Sequence, residues 1–135
     1  ALTDKRRRMQ ALRNTILAVD DSASMRQILA ATLDEAGYAV TTARDGQEAL
    51  ALASNASFDL VLTDQHMPGM DCLSLIRALR DLDAFAQTPI LVLTTEVDGA
   101  YKTAAREAGA SGWLIKPVDP EALVDVVGSL VGEGA

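Results

Sequence analysis

The sequence predicts an α/β domain built on a doubly wound, five-stranded parallel sheet in strand order 2-1-3-4-5. Three observations lead there. Five short apolar runs alternate with five stretches of helical periodicity, the pattern of βα units whose parallel sheet is covered on both faces. Two of the runs, residues 60–63 and 90–93, carry apolar or β-prone side chains at successive positions, as strands buried on both faces do. The 135 residues make one domain with a single core, whereas a closed barrel needs eight such units. Right-handed crossovers then leave the open sandwich.

Taken in order, Thr15–Val19 is the first strand and runs into Asp20-Asp21. Ser22 or Ser24 can cap the helix that follows, where Met25, Ile28, Leu29, Thr32, Leu33 and Ala36 recur at helical spacing and Gly37 is the stop. Residues 38–43 form the second strand. Asp45, with Glu48 three residues on, resembles a capping box for a helix carrying Ala49, Leu50 and Ala53. Residues 60–63 are the third strand, closed by Asp64, and Pro68-Gly69 turns the chain into a Leu-rich helix over 71–82. Pro89 precedes the fourth strand, 90–93, which ends at Thr94-Thr95-Glu96. Residues 98–108 form an alanine-rich helix stopped by Gly109. The fifth strand, 113–115, ends at Lys116-Pro117. Asp119 as N-cap and Pro120 at the first helical position open the last helix, with Leu123, Val124, Val127, Leu130 and Val131 as its inward stripe.

The domain so defined spans residues 15–135. Its composition, 49% apolar and 23% charged, is that of a soluble globular protein, and no apolar run has the length of a membrane span. Net charge is -7, yet Lys5, Arg6, Arg7, Arg8 and Arg13 all fall in the first 14 residues. The body is therefore strongly acidic, which disfavours nucleic acid as a partner. Residues 1–14 read as a basic extension, expected to be a solvated tail or no part of the native chain. The apolar stretch 16–19 is too short for a signal peptide. A single cysteine, Cys72, excludes an internal disulfide and suits a reducing compartment, so a cytoplasmic monomer is expected.

In this topology the carboxyl ends of strands one and three adjoin where the strand order reverses, which is where open parallel sheets bind ligands. Asp20, Asp21 and Asp64 stand there, and the ends of strands four and five add Thr94 and Lys116. Two unit charges about 4 Å apart near a surface repel by about 4 kcal/mol at an effective dielectric of 20. Three gathered carboxylates therefore need a proton or cations. Lys116 supplies one positive charge, and Mg²⁺, which takes few carboxylates and keeps waters, is the natural second. A hard cation, an ammonium and a hydroxyl around a strand-end Asp are what phosphoryl transfer onto that Asp requires, because its catalysis is mostly positioning and charge stabilisation. Asp64 is the expected nucleophile.

Val19-Asp20-Asp21-Ser22, Asp64 with Met67-Pro68, Thr94, and Lys116-Pro117 together resemble the receiver domain of bacterial two-component response regulators, with its flavodoxin-like fold. The likeness covers residues 15–131. The opening 20–26 and the segment 112–117 look most like stand-alone chemotaxis regulators of the CheY type. The resemblance implies that a histidine kinase donates a phosphoryl group to Asp64. It implies Mg²⁺ held by Asp21, Asp64 and the His66 carbonyl, with Asp20 acting through water, and Thr94 and Lys116 binding phosphoryl oxygens. Thr94 and Trp113 would then act as the switch, re-shaping the face made by the fourth helix, fifth strand and fifth helix. A downstream protein, for a chemotaxis regulator the flagellar motor switch, would read that face. His66 and Glu96, two positions after Asp64 and Thr94, would tune self-catalysed dephosphorylation.

Each residue has a plainer reading. Asp20 and Asp21 can be acids favoured by a helix N-terminus, Thr94 a strand-end threonine, Lys116 a surface lysine, His66 an exposed loop residue and Trp113 a packing residue. A cis Lys116–Pro117 bond would aim the lysine into the site. A phosphatase of the haloacid-dehalogenase type also uses a strand-end Asp, but needs a second Asp where His66 stands. A flavodoxin-like cofactor binder needs a phosphate loop after strand one, where two acids stand instead. A phosphate sink, or a receiver kept only for docking outside chemotaxis, is the remaining alternative.

Overall fold

A computed structural model describes residues 14–67, 69–95 and 99–131; the basic extension up to Arg13, Pro68, Glu96 and Asp98 lie outside them. The chain runs β1 (Thr15–Val19), α1 (Ala23–Glu35), β2 (Ala39–Ala43), α2 (Gly46–Asn55), β3 (Leu60–Asp64), α3 (Cys72–Arg80), a 3-10 turn (Asp83–Phe85), β4 (Ile90–Thr94), α4 (Gly99–Ala108), β5 (Gly112–Ile115) and α5 (Pro120–Leu130). The strands form one parallel sheet in the order β2-β1-β3-β4-β5. That is the predicted order, with β1 and β3 adjacent at the reversal.

Every residue of β3 and β4 is buried, as their unbroken apolar runs required. Alternate side chains separate two cores. Leu17, Val19, Val61 and Val92 meet α2 and α3 through Ala49, Ala53, Leu75, Ile76 and Leu79. Ile16, Ala18, Leu60, Leu62, Leu91 and Leu93 meet α1 and α5 through Leu29, Leu33, Leu123 and Val127. Each fully buried aliphatic side chain is worth about 1.5–3 kcal/mol, so these two layers hold the strand ends in register.

The caps are side-chain acceptors, with Ser22, Asp45 and Asp119 at expected positions and Asp71, expected as the first residue of its helix, standing one position before it. Ser22 Oγ accepts from Met25 N, Asp71 Oδ1 from Ser74 N, and Asp119 Oδ2 from Ala122 N with Pro120 opening α5. Asp45 Oδ1 accepts from Glu48 N, but the Glu48 carboxylate reaches Arg44 N and not the Asp45 amide, so the capping box is displaced by one residue. Gly37 and Gly109 stop α1 and α4 at φ of 103° and 122°.

The expected inward stripe of α1 is too wide. Ile28 is 57% exposed and Ala36 is exposed; Leu29 and Leu33 carry the contact, with Met25 packed beside them. Ile28 lies about 100° around the helix from Leu29, past the edge of a stripe one helix must share with α5. Val124 likewise lines an open groove with Thr32, Glu35 and Asp125, while Val126 packs inward.

A contact that periodicity cannot show closes the far end of the sheet. The Arg80 guanidinium, at the end of α3, donates to the carbonyls of Phe85, Thr88 and Gly109 at 2.7 Å each, with a longer contact to Ala86 at 3.4 Å. It thereby ties α3, the 3-10 turn, the start of β4 and the end of α4 together. Among the described residues, no helix is long and apolar enough to cross a membrane.

Candidate active site

The carboxyl edge of the sheet is built by strands that end in polar residues. Asp20 follows β1, and its backbone N–H donates to Ala43 O, extending the β1–β2 ladder by one residue. Its side chain is held from below by the start of α1. Oδ1 accepts from Ser22 N at 2.9 Å, and the Arg26 guanidinium donates to the Asp20 carbonyl at 2.7 Å. Asp64 ends β3 on the neighbouring strand. Asp20 and Asp64 are almost wholly buried, Asp21 is exposed, and one carboxylate oxygen from each lies within 4.8 Å of the others.

Lys116 comes to them from the end of β5. Its Nζ donates to Asp64 Oδ1 at 2.6 Å and stands 3.8 Å from Asp20 Oδ2. The Lys116–Pro117 peptide bond is cis. One ammonium faces two buried carboxylates, and the charge is left unbalanced. Burial pushes the Asp20 carboxyl above its usual range; the Ser22 amide opposes this, Asp64 and Asp21 add to it, and Lys116 works against them. Among the described residues, Asp20 Oδ2 is buried with no hydrogen-bond partner. An orphaned carboxylate oxygen inside a cluster of three acids is a donor set suited to a hard divalent cation.

Thr94, also buried, ends β4, and its hydroxyl donates to the side-chain carbonyl of Gln65. Trp113 lies on β5 opposite Val92, two residues below Thr94 on the same face. Its indole is half-buried, and the Lys102 Nζ and Arg106 guanidinium of α4 each stand 5.4 Å from the ring centroid. Between this ring and Thr94 runs a narrow crevice lined by Val92, Tyr101 and Ala105, with no room for a water molecule.

This constellation has known counterparts. A sequence profile of the response regulator receiver domain matches residues 16–128. The chain belongs to the response regulator receiver family. Among its relatives is the transcriptional regulatory protein ResD of Bacillus subtilis, 38% identical over 109 residues; the match covers 81% of this receiver but 44% of ResD. The crystallised chemotaxis protein CheY4 of Vibrio cholerae shares 44% identity at a TM-score of 0.85, covering 87% of this receiver and 98% of CheY4. The receiver domain of sensor histidine kinase PA1611 from Pseudomonas aeruginosa PAO1, solved with magnesium coordinated in its active-site cleft, shares 28% identity at a TM-score of 0.82, covering 89% and 98%.

Of the residues singled out in the sequence, the receiver's fold brings Asp20, Asp21, Asp64 and Lys116 into one cluster. Thr94 sits on the adjoining strand end and Trp113 beyond it. His66 is exposed on the loop after β3, and Glu96 lies outside the described residues. Sequence reasoning missed four contacts: Arg26 on the Asp20 carbonyl, Gln65 on Thr94, and Lys102 and Arg106 over Trp113. The i, i+4 spacing of Lys102 and Arg106 was a signal for the last two.

Proposed function

We propose that this receiver accepts a phosphoryl group on Asp64 from the phosphohistidine of a histidine kinase. The observation that carries the reading is the Asp20–Asp21–Asp64 cluster with the Lys116 ammonium on Asp64. In the transfer, an Asp64 carboxylate oxygen forms a bond to phosphorus as the histidine N–P bond breaks, and the histidine nitrogen leaves with the electron pair. Lys116 holds Asp64 in place and neutralises charge gathering on the phosphoryl oxygens, with the Thr94 hydroxyl as a further donor. Asp20, Asp21, Asp64 and the His66 carbonyl would hold Mg²⁺, which supplies charge neutralisation at the transferring oxygens. The orphaned oxygen of Asp20 supports that fit. His66, exposed on the loop after β3, and Glu96 would tune the rate at which water removes the group.

Phosphorylation adds charge at one strand end and biases Thr94 and Trp113, which re-shapes the α4–β5–α5 face for a downstream protein. The likeness to CheY4 supports a cytoplasmic chemotaxis pathway with the flagellar motor switch as target. The likeness to ResD and to a kinase-borne receiver supports the same chemistry in other pathways, including use as a phosphate sink.

Two experiments test this. Labelled histidine kinases should pass their phosphoryl group to the wild-type chain and not to Asp64→Asn, with the variant's circular dichroism unchanged. Titration with beryllium fluoride, a phosphoryl mimic, should change Trp113 emission only when Mg²⁺ is present. A receiver kept for docking alone would show neither response.

A further inference from the structure

Gln65 stands immediately after the candidate phosphoacceptor, and its side chain reaches away from Asp64. Its backbone N–H donates to Leu93 O at 2.9 Å, carrying the β3–β4 ladder one residue past Asp64. The register pairs Asp64 with Leu93, so Gln65 falls opposite Thr94. Successive side chains alternate between faces, which places Gln65, Thr63 and Thr94 on the side of the sheet that holds Trp113. There the Thr94 hydroxyl donates to the Gln65 carboxamide oxygen.

A threonine hydroxyl has one proton and donates to one acceptor at a time. The Thr94 backbone is fixed on both sides, since β4 is paired with β3 and the Lys116 amide donates to the Thr94 carbonyl at 2.8 Å. The hydroxyl therefore changes partners by rotating its O–H bond or by turning about χ1, which in a β-branched residue moves between few wells. While Gln65 holds the proton, it is not given to a phosphoryl oxygen on Asp64.

We infer that Gln65 is a positioning residue that latches Thr94 in the unphosphorylated state and competes with the phosphoryl group for its hydroxyl. The inference rests on the reading of Thr94 as a phosphoryl donor. A contact made only in the resting state lowers the apparent affinity for anything that needs the other state. The latch thus sets how much phosphoryl binding energy is left to drive the switch.

The test uses beryllium fluoride with Mg²⁺, followed by emission of Trp113, the single tryptophan of the chain. Gln65→Met keeps the length of the side chain and removes the acceptor. It should tighten mimic binding about fivefold, the factor one net hydrogen bond represents. The gain should persist in a Thr94→Ser background and vanish in Thr94→Val. No gain in Gln65→Met, or an equal gain in Thr94→Val, overturns the latch. In the metal-free protein, the NMR shifts of the Gln65 side-chain amide should move on Thr94→Val and hold on Thr94→Ser; an unmoved amide in Thr94→Val also overturns it. A wild-type chain that never responds to the mimic would instead sink the phosphoacceptor reading, and the amide shifts would still decide the contact.

Discussion

Lys116 Nζ lies 2.6 Å from Asp64 Oδ1 and 3.8 Å from Asp20 Oδ2, so one ammonium serves two carboxylates that are themselves almost wholly buried. The lysine is partly exposed, with 22% of its side chain open to solvent. Its loss therefore costs less than breaking a fully buried pair.

Lys116→Met should lower metal-free stability by about 2 kcal/mol, discounted from the 3–5 kcal/mol typical of a broken buried pair. Mg²⁺ should restore more of the loss in the variant than it adds to the wild type, because it replaces the missing charge. Urea unfolding with and without Mg²⁺ measures both. A variant as stable as wild type without metal would mean that the pair contributes nothing.

The same strand ends show which parts of the molecule the sequence discloses. β3 and β4 were legible because residues buried on both faces leave unbroken apolar runs, and the site was legible because each run stops at a polar residue. What stayed hidden depends on partners that only the fold assigns. Gln65 meets Thr94 through the register of two strands, and Arg80 meets carbonyls from three separate segments. Ile28 follows helical spacing yet faces out, because periodicity marks a stripe without saying how much of it a neighbour covers.

Arg80 makes a prediction of its own. Its fork satisfies carbonyls of Phe85, Thr88 and Gly109 that a lysine cannot reach together. Arg80→Lys and Arg80→Met should each cost about 3 kcal/mol, given that a bond from a charged donor is worth about 1.5–3 kcal/mol. Gly109→Ala should also destabilise, since a Cβ there would meet the Arg80 side chain at 2.9 Å and φ is 122°. Denaturant midpoints check all three, and a silent Arg80→Lys would show that point charge suffices.

The cations over Trp113 predict an optical effect. Long cationic side chains placed over a ring screen it from solvent with their stems, and here each ammonium or guanidinium adds about 0.5–1 kcal/mol by cation–π attraction at an exposed site. Lys102→Ala and Arg106→Ala should each increase acrylamide quenching of the single tryptophan. The double variant should exceed either, while far-ultraviolet circular dichroism stays unchanged. Quenching equal to wild type would mean the stems do not cover the indole.

Asp71 gives the pH dependence. Its carboxylate caps α3, and the Ser74 amide is the main cause that holds its pKa below the ordinary 3.8, with the Ser74 side chain second. A carboxyl depressed in the folded state contributes stability in full above its unfolded value and loses it as pH falls through the lower folded value. Asp71→Ala should therefore cost about 1 kcal/mol, the usual worth of an N-cap, at neutral pH. The gap between wild type and Asp71→Ala should narrow as pH falls below about 4, where the carboxyl protonates and its acceptor weakens. Asp71→Asn keeps a cap oxygen without the charge, so its stability relative to Asp71→Ala should not vary with pH. Thermal unfolding of the three chains between pH 7 and pH 3 would show this, and a gap that widens on acidification would refute the assignment.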